Sequence, residues 1–161
     1  MCPNGIHRSE VELAQFEQHF SCIRPIVEDF MRTKGMKIEK YDRGVPNWIL
    51  QFARKQGGFA TVTIGLDERT NADFYVTSSW WVDEYETETR HAKWKRIGKY
   101  HYSEPLQKFS RLLEKAIQTI KSWRFSDLNH HDGPMEYWKK HWPTKEIFEQ
   151  ASYRDYPVLD I

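Results

Sequence analysis

The chain has 161 residues, of which 39% are hydrophobic, 29% charged and 15% aromatic, including 7 Trp, while its mean hydropathy is low at −0.79. That length suits one domain with a sizeable core. Lys plus Arg (24) nearly cancel Asp plus Glu (23), so the molecule lacks the overall charge that draws a protein to nucleic acid or an anionic membrane. No apolar run is long enough for a membrane span, and the opening Met-Cys-Pro-Asn-Gly-Ile-His has no signal-peptide core. A soluble, cytoplasmic protein without a membrane partner is expected. Cys2 and Cys22 have no zinc or redox spacing, and Cys22 is expected to be a small core residue.

Ser9 to Glu12 reads as a capping box, and Leu13, Phe16, Phe20, Ile23, Val27 and Phe30 then recur at spacings of three and four. They predict a helix with one apolar stripe. Pro25 predicts a kink or break, with Ser21 capping a second segment and Gly35 ending it.

From residue 36 to about 102 the pattern becomes alternating and rich in Val, Ile, Thr and aromatics. Strands are expected at 36–41, 48–54, 59–66 and 74–83, with a fifth inside 89–100. Short turns around Gly44-Val45-Pro46, Gly57-Gly58 and 67–71 make a meander the simplest topology. Trp48, Leu50 and Phe52 share one face, as do Phe74, Val76, Ser78, Trp80 and Val82. Tyr75, Thr77, Ser79 and Trp81 fall on the opposite face, whose mixed character suits a solvated or partner-covered surface.

A second helix is predicted with Ser103 as cap, Pro105 in its first turn and a stripe of Leu106, Phe109, Leu113, Ala116, Ile120 and Trp123. The fold class is therefore α+β: a two-layer sandwich of a five-stranded antiparallel meander with both long helices on one face. Residues 1–125 form this domain. Residues 126–161 form an aromatic extension with short helices at 135–141 and 145–151, in which Tyr137, Trp138, Trp142, Phe148, Tyr153 and Tyr156 all need cover. It is expected to pack on the same domain, or through Trp138 and Trp142 on a second copy as a homodimer.

Catalytic signatures are missing. There is no nucleophile elbow, P-loop, dinucleotide fingerprint, zinc-protease helix or E-x-K metal-nuclease strand, and no cofactor is expected. His130, His131, Asp132 and His141 are the right chemical types for a metal-dependent enzyme, with His91 and His101 near the fifth strand. Adjacent histidines in an Asn-His-His-Asp-Gly run also read as a turn.

Charge is segregated in the last hairpin. Asp83, Glu84, Glu86 and Glu88 precede Arg90, Lys93, Lys95, Arg96 and Lys99, interleaved with Tyr85, Trp94 and Tyr100. The plain reading is cross-strand ion pairing between the two arms. Beyond it, an aromatic-centred patch with Arg at its rim suits a protein partner, with Tyr75, Trp81, Tyr85, Trp94 and Arg96 as contacts. A non-catalytic binding module of the inhibitor, immunity or adaptor kind is the leading expectation. The alternative is nucleic acid held by Lys93, Trp94, Lys95, Arg96 and Lys99 with Tyr100 as a second stacking ring, and the metal-dependent enzyme ranks third.

Overall fold

The computed structural model describes residues 10–41, 47–67, 69–70, 72–132, 140, 143–153 and 156–161. The chain is a mixed α+β protein whose order is α1 (Glu10–Lys34), β1 (Lys37–Tyr41), β2 (Asn47–Arg54), β3 (Phe59–Leu66), β4 (Asp73–Glu84), β5 (Thr89–His101), α2 (Leu106–Ser122), a 3-10 turn (Phe125–Asp127), β6 (Asn129–Asp132), α3 (Lys145–Tyr153) and β7 (Val158–Leu159). Ser9, the 42–46 turn and the expected helix at 135–141, apart from Lys140, lie outside the described residues.

The helix around Pro25 departs from expectation. Helix α1 continues through it, and Ser21 donates its hydroxyl to the Gln18 carbonyl one turn back instead of capping a new segment. An interior proline costs about 3 kcal/mol. Ile23, Val27 and Phe30 are buried on the other side of the same turns, and each such burial contributes roughly 1.5–3 kcal/mol. The packing of the stripe therefore outweighs the missing N–H, and Pro25 itself faces solvent. Cys22 also faces solvent, against expectation, because it lies beside the stripe rather than on it.

Strands β1 to β5 pair consecutively and antiparallel. The tail extends the sheet to seven strands: β6 pairs antiparallel with residues 89–92 of β5, and β7 pairs parallel with the end of β2. One sheet face carries Trp48, Leu50, Phe52, Ala60, Val62, Ile64, Phe74, Val76 and Trp80, all buried against the stripes of α1 and α2. Phe20 of α1 sits edge-on to Trp48 at 4.1 Å and to Phe74 at 5.6 Å. Ser78 lies on this dry face at no cost in lost hydrogen bonding, because its hydroxyl donates to the Ala116 carbonyl of α2 at 2.8 Å.

Helix α2 begins without the expected cap. Pro105 occupies the cap position with no side-chain bond, while Ser103 turns to His101 Nδ1 at 2.6 Å. Leu106, placed on the stripe by spacing, is exposed because it stands at the first position of the helix, beyond the sheet.

Candidate functional site

Helices α1 and α2 both pack on the first face of the sheet, and α3 meets the second face only at its hairpin end, beside Asp83 and Tyr85; the composition of that second face is set by strand parity. Registers Tyr75↔Lys99, Thr77↔Arg96, Ser79↔Trp94, Trp81↔Ala92 and Asp83↔Arg90 place both members of each pair on that open face. The register slips between Val76 and Thr77, where Ile97 is an extra residue in β5. This β-bulge changes the parity of everything after it. Lys99 joins Trp94 and Arg96 on the open face, and Tyr100 is carried to the core.

Tyr100 therefore corrects the sequence reading. It is fully buried, 5.3 Å from the Phe109 ring, and its hydroxyl donates to the Glu104 carbonyl at 2.7 Å. It cannot stack a ligand. The expected nucleic-acid set is split as well: Trp94, Arg96 and Lys99 share the open face, while Lys93 and Lys95 pair with Trp80 and Ser78 on the helix side. By contrast Tyr75, Trp81, Trp94 and Arg96 are brought to one surface.

Trp94 is 71% exposed, a large apolar area left in water. Diagonal to it, half-buried Trp81 lies 6.0 Å from Phe59, which in turn meets Tyr156 of the tail at 5.0 Å. An aromatic strip thus crosses the face. Beside it the Arg96 guanidinium lies over the Tyr75 ring at 3.7 Å, a cation–π contact that fixes both groups.

Tyr75 is held in turn from the loop after β3. Its hydroxyl donates to Asp67 Oδ2 at 3.0 Å and accepts from Arg69 Nη2 at 3.1 Å. Asp67 also accepts from the Arg69 backbone N–H (3.0 Å) and its guanidinium (3.2 Å). These bonds, the Arg69 side chain first, hold the Asp67 carboxyl down to about 2. An acid so fully committed is a scaffold and not a proton carrier. Leu66, Asp67, Arg69, Tyr75 and Arg96 line an open cleft of about 490 Å³. The sequence reading passed over Asp67 and Arg69 as turn residues, although an Asp accepting the N–H two residues on is a recognisable local device.

The hairpin tip is covered. Tyr85 is half-buried with Phe148 of α3 at 5.3 Å, and Lys145 forms an ion pair with Glu86, which lowers the acid and raises the lysine. The expected acid–base ladder is realised at Asp83 and Arg90, joined by two bonds of 2.7 and 2.9 Å. It stops there. Lys93, Lys95, Arg96 and Lys99 stand opposite Trp80, Ser78, Thr77 and Tyr75, none of them an acid.

Two of the described histidines, His91 and His130, meet, but no third described residue completes a metal-ligating group with them. His130 and His131 are neighbours in β6 and so point to opposite faces. The half-buried His91 ring lies 5.1 Å from His130 and 4.8 Å from Phe125, with Nε2 at 3.3 Å from Glu84. His101 is at the far end of β5, about 30 Å along the strand. Asp132 ends β6, and His141, Tyr137, Trp138 and Trp142 lie outside the described residues. Among the described residues no three ligand-type side chains are arranged to hold a metal.

Compared with models of known families, with curated proteins and with solved structures, the chain has no significant match to any.

Proposed function

We propose that this protein is a non-catalytic binding module that presents its open sheet face to a partner protein. The observation that carries this reading is the convergence of Trp94, Trp81, Tyr75 and Arg96 on one sheet face that neither long helix covers, with Trp94 71% exposed on the edge strand between Trp81 and Arg96. Trp, Tyr and Arg are the side chains enriched at interface hot spots: Trp and Tyr bury a large rigid ring at small entropic cost, and Arg adds a planar fork of hydrogen-bond donors. Both rings are held by neighbours: Tyr75 is bonded to Asp67 and Arg69 and covered by Arg96, and Trp81 rests on Phe59. Preorganisation of this kind lowers the ordering cost of association.

One observation favours the alternative of single-stranded nucleic acid. The cations of residues 93–99 have no acid opposite them and adjoin an exposed indole. Against it, two of the five residues expected to form that surface point to the helix side, and the partner ring at Tyr100 is buried. The protein reading needs neither.

Affinity capture from native lysate separates the two. The protein reading expects a stoichiometric partner retained by the wild type and lost with Trp94→Ala, with circular dichroism unchanged. Retention of nuclease-sensitive material in its place, falling steeply as salt rises, would favour nucleic acid. An unchanged partner with Trp94→Ala would move the interface off this face.

A further inference from the structure

Strand β5 is 13 residues long, but β6 covers only residues 89–92 of its outer edge. From Lys93 to His101 no described residue pairs with that edge. An uncovered edge strand presents a row of backbone donors and acceptors that accept another strand unless something forbids it. Here the side chains decide which strand. Lys93 and Lys95 flank the edge on the helix side, Arg96 and Lys99 flank it on the open side, and no acid stands opposite any of them across the sheet. Lys93 is engaged by the Trp123 ring at 5.7 Å, which leaves its charge uncancelled.

Lysines and a bulge on an edge are also the usual guard against edge-to-edge association. The two roles are compatible because the guard is selective. A second copy of this chain would set a basic edge against a basic edge, and like charges directly opposite repel. A strand carrying acids on both faces would gain a cross-strand partner at each cation.

We infer that the edge of β5 that no described residue pairs with, residues 93–99, takes up an extended acidic segment of a partner protein as an added antiparallel strand, beginning where the pairing with β6 stops. The inference rests on the protein-binding reading above and names the partner's chemistry: main-chain pairing supplies affinity, and carboxylates placed against Lys93, Lys95, Arg96 and Lys99 supply register. Trp94 then packs on the open-face side chains of the incoming strand.

The test uses the full chain and a labelled synthetic peptide of about ten residues, a length that spans an ordinary strand, in which pairs of Glu alternate with pairs of Thr so that carboxylates fall on both faces of the strand. Fluorescence anisotropy reads affinity, and hydrogen exchange reads the backbone amides of residues 93–99. The expected result is binding together with slowed exchange at those amides. Charge reversal by Lys95→Glu with Lys99→Glu weakens binding about tenfold or more, and Lys121→Glu, on exposed α2 surface, changes it less than about twofold. A peptide with Lys in place of Glu does not bind.

Peptide binding without amide protection would overturn strand addition while leaving the open-face reading standing. No binding of the acidic peptide would overturn the inference, and the Trp94→Ala capture experiment would still judge the open face on its own. Preferential binding of an oligothymidylate of about twelve nucleotides would overturn both.

Discussion

At the scale of single residues, two charged side chains, Arg54 and Asp67, tie separate parts of the chain together. Arg54 is 2% exposed, lies over the Trp80 ring at 4.1 Å, and donates to the Trp123 and Ile161 carbonyls at 3.0 Å each. It ties the end of α2 to the end of the tail through one guanidinium, and burial pushes its pKa down. Arg54→Ala leaves two carbonyls unsatisfied and a cavity against Trp80, for an expected loss of about 3–5 kcal/mol in urea unfolding. Arg54→Met keeps the packing and is expected to lose about half as much. Asp67 gives a pH test. Its folded carboxyl sits below the ordinary value of 3.8, so its contribution to stability is present above about pH 4 and is lost as pH falls towards about 2. Asp67→Asn is expected to be less stable at neutral pH and to lack that part of the acid limb.

At the scale of elements, turn geometry and strand parity do most of the positioning. Gly57 and Gly58 close the β2–β3 hairpin with φ of 112° and 72°. A Cβ on Gly58 would run into the Trp81 carbonyl and stand 2.7 Å from Val82 Cγ2. Gly58→Ala therefore combines backbone strain with a clash against β4, and an expected loss of about 2–4 kcal/mol should appear as a lower urea midpoint. Gly57 has no atom near its missing Cβ, so Gly57→Ala bears the strain alone and is expected to cost about 1 kcal/mol.

Strands β2 to β4 were legible because their apolar residues alternate between turn residues, and α2 because its stripe is regular. The bulge at Ile97 was not legible. Counting by twos from Trp94 places Tyr100 on the surface and Lys99 with Lys93 and Lys95, and the extra residue reverses both assignments. Strand β6 was hidden for another reason. Its Asn-His-His-Asp has no apolar alternation, since His130 packs against another imidazole, and four polar residues read as a turn. Strand β7 is only two residues long and pairs with a strand about a hundred residues earlier, which no local pattern can announce.

At the scale of the whole molecule, a net charge of +1 conceals a separation. The acids of the last hairpin are met locally, Asp83 by Arg90 and Glu86 by Lys145, whereas the cations of residues 93–99 have no acid opposite them. The molecule thus offers one basic, aromatic edge from a near-neutral body. Its association rate with an acidic partner is expected to fall as salt rises from about 50 to 200 mM while the dissociation rate changes little, because exposed charges steer encounter beyond the contact distance and are screened within about 10 Å. Stopped-flow mixing at the two salt concentrations checks this. The aromatic excess of the sequence resolves in the same frame: among the described residues more than half of the rings are buried, and Trp94 is the indole left in water.

Calorimetric titration of the captured partner decides whether the open sheet face around Trp94 is the binding surface. Trp94→Ala and Arg96→Ala are each expected to weaken binding by about 2 kcal/mol, roughly thirtyfold, while Gln118→Ala on α2 changes it by less than about 0.5 kcal/mol. Equal affinities for all three variants, or a loss confined to Gln118→Ala, would contradict binding through this face.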